Sequence, residues 1–376
     1  MRPSPTLERS VAGSIALVVA CMVIACGCAG HERVVAPPKA QAPATPVGEV
    51  VTGAGSEFRT VFQSSDGTYW FGSRDRGLFR MRDGVVTRFT TAHGLPGDGV
   101  RGIAEDRAGN IIVVSEPGGL ARFDGRTFQA LQPAATRSDW RLHSDDLWFP
   151  AGPDTGAVLR YDGTTVHRLT LPKTEAGEAW IARYPRATHP GIKYSPYDVY
   201  TIYRDSRGHL WLGTALLGAC RYDGTNFEWI ANEIGFGETN SFGLRSIIES
   251  RPGVFWFCHP PDAVEIPAVA QSAPGFQRSA GGMPFRKVPG FGTSSDPFST
   301  FTASATAPNG DLWLLILGGG AWRFDGRRMA HFPVLRDGQP ILANSIALDR
   351  QGVPWVGTDE HGVYRFNGTE FVRWMP

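Results

Sequence analysis

The chain has 376 residues, with 37 Lys+Arg against 36 Asp+Glu and a formal net charge of +1. That balance, with no basic cluster, leaves no electrostatic footprint for a phosphate backbone, so a nucleic-acid reader is not expected. At 42% hydrophobic, 11% aromatic and 19% charged residues, the chain can bury a sizeable core and is not a disordered polymer.

Residues 1–25 read as an export leader. Arg2 and Arg9 precede the uncharged run Val11 to Ala25, which is short for a membrane span. The run ends in Val23-Ile24-Ala25-Cys26, which resembles a bacterial lipobox and implies cleavage before Cys26 and lipidation of its thiol. Cys28 fits the pattern less well, and a leader cut near Ala29 is the plainer alternative. The resemblance implies a protein of the cell envelope, held to the membrane by an N-terminal lipid and on the periplasmic face in a Gram-negative cell.

Residues 26–55 are rich in Ala, Pro and Gly with little periodicity, as a tether would be. Beyond them only Cys220 and Cys258 remain, so disulfides do not build this fold. One bridge between them and two buried thiols both fit the count.

From residue 56 to 376 one unit recurs seven times. It reads Asp-x-x-Gly-x-x-Trp-apolar-Gly-Thr, then Gly-apolar-x-Arg-aromatic-Asp-Gly. The fourth copy places Asp205, Gly208, Trp211 and Gly213 in the first half, and Gly218, Arg221, Tyr222, Asp223 and Gly224 in the second. The seventh repeats it with Asp349, Gly352, Trp355, Gly357, Gly362, Arg365, Phe366, Asn367 and Gly368. Trp70, Trp148, Trp211, Trp256, Trp313 and Trp355 share one position, which Ile112 fills in the second copy. Short apolar-alternating runs separated by Gly turns and closed by Asp-Gly predict strands, with the Asp-Gly pairs supplying the positive φ of two-residue hairpin turns.

Four strands per repeat of about 45 residues predict an all-β fold, a seven-bladed β-propeller of four-stranded antiparallel blades with the repeated indoles packed between blades. The motif resembles the two-component regulator propeller repeat. That resemblance implies a sensing domain, often for carbohydrate, which in the family usually belongs to a longer membrane kinase. No kinase segment follows in this chain, so the expectation is a stand-alone exported member.

If the first strand of each blade lines the axis, the Asp-Gly turns share a regular face and the remaining loops an irregular one, where function is expected to lie. An insertion from Pro172 to Tyr197 brings Trp180, Tyr184 and Tyr197 to that face, together with arginines. Aromatic faces with Arg donors suit a sugar or peptide. Arg59 and Arg101 occupy matching places near the start of inner strands, with Arg245 close to the same level, as a cationic collar would. A second insertion, Pro267 to Pro284, reads as a flexible flap.

Catalytic and cofactor signatures are absent: no His-Glu-x-x-His, Gly-x-Ser-x-Gly, Cys-x-x-Cys or phosphate loop occurs in the mature chain, and no metal or cofactor is expected. The enzyme question leans to no. The expectation is non-covalent binding of a small polar ligand or an envelope protein. The alternatives are a propeller lyase or hydrolase using His259 or His361 with Glu360 as acid and base, and an envelope scaffold.

Overall fold

The computed structural model describes residues 48–376 except 54, 56, 118, 135–140, 237–242, 259–261, 269–273, 291–300 and 375–376. The leader, Cys26 and most of the tether therefore lie outside the described residues.

Seven antiparallel sheets follow one another along the chain as blades 1 to 7. The first strands Phe58–Gln63, Gly99–Glu105, Val199–Arg204, Ile247–Arg251, Ala303–Thr306 and Ala343–Leu348 belong to blades 1, 2, 4, 5, 6 and 7. Neighbouring first strands pack on one another around the axis, and Phe58–Gln63 touches both Gly99–Glu105 and Ala343–Leu348. Among the described residues the ring therefore closes by packing, without a strand shared between the first and last blades.

Blades 2, 4, 6 and 7 have the expected four strands, and the others depart from that count. Blade 1 gains Glu49–Val51, paired with its outer strand Val85–Phe89, which draws part of the stretch read as tether into the sheet. Blade 3 has three strands among the described residues, Leu147–Pro150, Ala157–Tyr161 and Val166–Thr170. Blade 5 carries an extra strand, Gln277–Arg278, paired with Pro284–Val288. The second insertion is accordingly not a flap in its later half. Ser279 is buried, and its hydroxyl donates to the Trp229 carbonyl at 2.6 Å.

The repeat motif has a physical reason at each position. Asp205 Oδ1 accepts from the backbone N–H of Arg207 and His209, at 3.0 and 2.8 Å, and its Oδ2 accepts from the Trp211 indole N–H at 3.0 Å. Asp349 does the same for Gln351, Val353 and Trp355. One carboxylate thus closes the turn and satisfies the indole donor that burial takes from water. In the second copy Ile112 offers no donor, and Asp106 Oδ2 accepts instead from Asn110 Nδ2 at 2.9 Å and from the Tyr161 hydroxyl of blade 3 at 3.4 Å.

The indoles bridge blades. Trp70 meets Phe123 of blade 2, Trp211 meets Phe255 and Phe257 of blade 5, Trp256 meets Phe324 of blade 6, and Trp313 meets Phe366 of blade 7, with ring centroids 4.5–5.7 Å apart. These edge-on and tilted contacts bury large apolar area between neighbouring sheets.

The Asp-Gly turns differ from expectation in most copies. Among the repeat's own pairs only Asp83-Gly84 has positive φ at both residues, 53° and 76°, and makes a two-residue turn, between Arg82 and Val85. In the later copies four residues separate the last strand pair, as between Tyr222 and Phe227, and the Asp side chain closes the turn. Asp223 Oδ1 accepts from Thr225 and Asn226 N–H at 2.8 and 2.7 Å. Cys220 and Cys258 are separate buried thiols.

Candidate functional site

The motif glycine sets where the next blade's inner strand begins. A Cβ on Gly72 would lie 2.6 Å from Val100 Cγ1 of blade 2, and one on Gly357 would lie 2.6 Å from the Phe58 carbonyl of blade 1. On Gly213 it would meet the Leu244 carbonyl at 2.8 Å. Phe58, Val100 and Leu244 are thus seated on the preceding blade, and the residue after each is Arg59, Arg101 or Arg245.

In four blades a β-bulge falls at that next residue. Ladder register shifts between Phe58 and Thr60, Val100 and Gly102, Val199 and Thr201, and Ala343 and Ser345. The residues passed over are Arg59, Arg101, Tyr200 and Asn344, and a bulge re-aims the side chain it carries. All four line one cavity of about 1140 Å³ on the irregular face, together with Arg245 and Thr302. Each stands eleven residues before its repeat's aromatic position, so six blades contribute one side chain from one register. In the third copy that offset falls on Arg137, outside the described residues.

A second register completes the wall. Arg74, Glu116, Gly152, Leu317 and Asp359 each lie four residues after the aromatic position and line the same cavity. At Asp359 the turn is tied by the motif hydroxyl: Thr358 Oγ1 donates to the Gly362 carbonyl at 2.7 Å and accepts from the His361 N–H at 2.9 Å. The described scaffold therefore places six residues of the first register and five of the second over the axis. Lys193 and Tyr194 of the insertion add to the rim.

The charges within are unevenly matched. Arg101 pairs with Glu116. Asp359 accepts from Asn344 Nδ2 at 2.7 Å, and Asp198 accepts backbone N–H bonds from Asp154 and Ser195 at 2.7 and 2.9 Å. The Arg245 guanidinium lies 5.0 Å from the centroid of the Tyr200 ring. By contrast, the side chains of Arg59 and Arg74 have no ion pair or hydrogen bond among the described residues. Burial lowers the Arg59 pKa, and the neighbouring Arg101 and Arg74 charges lower it further.

The insertion is more ordered than a bare loop. Its helix α1, Glu175–Arg183, begins at Thr174, whose Oγ1 accepts from Gly177 N–H at 3.1 Å. Tyr197 is buried beneath it. Its hydroxyl accepts from Thr174 N–H at 2.8 Å and lies 3.1 Å from Glu178 Oε1, to which it donates. Trp180 packs at a tilt against Tyr184 and Tyr194, with centroids 5.2 and 5.7 Å away. Of the expected ligand-binding residues, the structure gathers Arg59, Arg101 and Arg245 into the cavity. Trp180, Tyr184 and Tyr197 are not among its lining residues, and Tyr197 serves as an anchor for α1.

Of the acid–base candidates, Glu360 and His361 are not among the lining residues. His259 lies outside the described residues. Glu360 is exposed, and His361 Nδ1 sits 2.7 Å from Arg336 Nη1. Sequence reasoning missed Tyr200, Thr302 and Asn344 as site residues; counting eleven back from each aromatic position would have found them.

Residues 193–215 match the family model described as two component regulator propeller, a stretch that holds the first two strands of blade 4. No curated protein sequence matches the chain. Among solved structures, the extracellular domain of a one-component system from B. thetaiotaomicron is similar over 84% of this chain and 39% of that one, with 18% identity and a TM-score of 0.54. A streptogramin B lyase is similar over 84% and 94%, with 14% identity and a TM-score of 0.55. Virginiamycin B lyase from Staphylococcus aureus is similar over 82% and 94%, with 13% identity and a TM-score of 0.56. The chain spans about two fifths of the length of the extracellular domain it matches. At these identities the likeness shows the propeller fold alone.

Proposed function

From a chain that carries the two component regulator propeller repeat, we propose a sensor-type binding module that holds a small polar ligand non-covalently in the axial cavity of its irregular face. One observation carries this reading. Six variable residues of one register and five of a second converge on a single cavity, while the motif residues around them are committed to turns and packing. Conserving geometry while varying the side chains presented is how a repeat scaffold builds a specific site. The likeness to an extracellular domain, with the leader and lipobox in the sequence, supports an exported module tethered through Cys26.

The test is thermal unfolding of the full chain against neutral and acidic oligosaccharides and envelope extracts, since a ligand that binds only the native state raises its stability by mass action. Binding that disappears in Arg101→Ala and Tyr200→Ala supports the reading, whereas binding that survives both places the ligand elsewhere. Co-purification with a membrane partner, without stabilisation by any ligand, would instead favour a scaffold. Membrane fractionation of Cys26→Ser and Cys28→Ser checks the anchor, and loss only with Cys28→Ser contradicts it.

A further inference from the structure

The axial cavity carries more positive charge than the chain around it. Arg59, Arg74, Arg101, Lys193 and Arg245 line it against Glu116, Asp198 and Asp359, so five formal positive charges face three negative ones and two are left over. The whole chain, by comparison, has a net charge of +1. The excess falls on blade 1 and the insertion. Glu116 answers Arg101, and Arg245 stands over the Tyr200 ring. Asp198 and Asp359 accept hydrogen bonds from neighbours of their own. Arg59, Arg74 and Lys193 have neither ion pair nor hydrogen bond among the described residues.

Backbone packing sets two of these cations side by side. Phe58 faces Ser73 in the blade 1 ladder, so the bulge at Arg59 lies level with the turn that begins at Arg74. A Cβ on Gly99 would lie 2.8 Å from the Arg74 carbonyl, which seats that turn on the start of blade 2's inner strand, beside Arg101. Burial lowers the Arg59 pKa first, then the Arg101 and Arg74 charges; the carboxylates of Asp359 and Glu116 oppose the shift without cancelling it. The scaffold does not ask for cations here. At the same two registers other blades carry Tyr200, Thr302, Asn344, Gly152 and Leu317, so neutral side chains close a blade equally well. A half-buried guanidinium beside like charges costs stability until an anion meets it.

We propose that the cavity binds a small dianion, with one oxyanion group held between Arg59 and Arg74 and the second charge met by Lys193 at the rim. Guanidinium forks match the paired oxygens of carboxylate and phosphate alike, so dicarboxylates and phosphate monoesters share the chemistry. The proposal rests on the axial cavity being the binding site and names the class of ligand that enters it.

The experiment is calorimetry and thermal unfolding of the full chain at pH 8, at low and raised salt. One arm sets succinate, glutarate and adipate each against its monoamide and diamide; the other sets glycerol 3-phosphate against glycerol, and uncharged oligosaccharides run alongside. The expected result is at least one dianion that binds about tenfold or more tightly than its less charged analogue, the factor that one charge-assisted hydrogen bond carries, with affinity falling as salt rises. The arm that responds tells whether carboxylate or phosphate supplies the oxygens. Arg59→Gln and Arg74→Gln should each weaken that dianion about tenfold or more without lowering the melting temperature of the unliganded protein, because each removes a charge that its neighbours repel. Arg74→Gln, on an exposed turn, serves if Arg59→Gln does not fold. Lys193→Gln should cut the advantage of the dianion over its monoanion and leave the monoanion's affinity unchanged. Dianions no tighter than their uncharged analogues, or dianion binding that survives both arginine variants, overturn the proposal. So does an unliganded Arg59→Gln that melts earlier while binding is unchanged, since Arg59 would then serve the fold. An uncharged oligosaccharide that binds and is lost in Tyr200→Ala, with no dianion bound, leaves the binding module standing and removes only the dianion. No stabilisation by any of these compounds removes both.

Discussion

The indole of Trp355 in blade 7 lies 4.8 Å from the phenol ring of Tyr69 in blade 1, centroid to centroid, and the Tyr69 hydroxyl reaches Asp349 Oδ2 at 3.3 Å. This contact, with Trp374 packed 5.1 Å from the same indole, joins the two ends of the ring. No backbone ladder reinforces it, so its side chains carry the closure. Trp355→Ala should therefore cost about 3–5 kcal/mol of unfolding free energy, as for other large-to-small core changes. Deleting Glu49–Val51, an added outer strand, should cost less. Urea unfolding of the two variants checks the order; equal losses would mean that the added strand shares the closing role.

The bond from Asp205 to Trp211 gives a second prediction. Trp211 is fully buried, so Asp205→Ala leaves its indole N–H without an acceptor, at about 1–3 kcal/mol. In a Trp211→Phe background the same change should cost measurably less, because no indole donor remains to be stranded. A double-mutant cycle with no coupling would show that the carboxylate acts only through the turn.

Acid should weaken the propeller through its turn carboxylates. Backbone N–H donors from Thr127 and Arg126 hold Asp124 below its ordinary pKa, and those from Arg328 and Arg327 do the same for Asp325. For Asp162 and Asp223 burial pushes upward, but the backbone bonds outweigh it and the pKa is again lowered. A carboxyl with a depressed folded pKa adds stability that is complete above its unfolded value, near 4, and is lost as pH falls through the folded values. Unfolding free energy should thus be flat with respect to these groups above about pH 5 and fall below about pH 4. Replacing all four by Asn should flatten that acid limb.

The two thiols should be inert in the native state. Burial pushes Cys258 up to about 11 and Cys220 well above the ordinary thiol value, which keeps both protonated and shielded at neutral pH. A thiol-specific chromogenic reagent at pH 8 should label neither until denaturant is added. Rapid labelling of either in the native protein would show that its blade opens locally.

Much of the architecture was legible in the chain because its cause is local. A turn carboxylate, a glycine where the next blade crosses and an indole at fixed spacing are each satisfied within one repeat or its neighbour, so Trp211 and Trp355 announce their blades from sequence alone. The collar was partly legible for the same reason: Arg59, Arg101 and Arg245 stand at one offset from their aromatic positions, and attending to charge alone hid Tyr200 and Asn344 at that offset.

Other features depend on contacts between distant residues. Tyr197 and Trp180 look alike as aromatics of an insertion, yet one is buried under α1 and the other is half-buried against Tyr184. That Arg59, Phe149, Tyr200 and Asp359 share one cavity follows from closing a ring, which brings together side chains hundreds of residues apart through packing that no local pattern encodes.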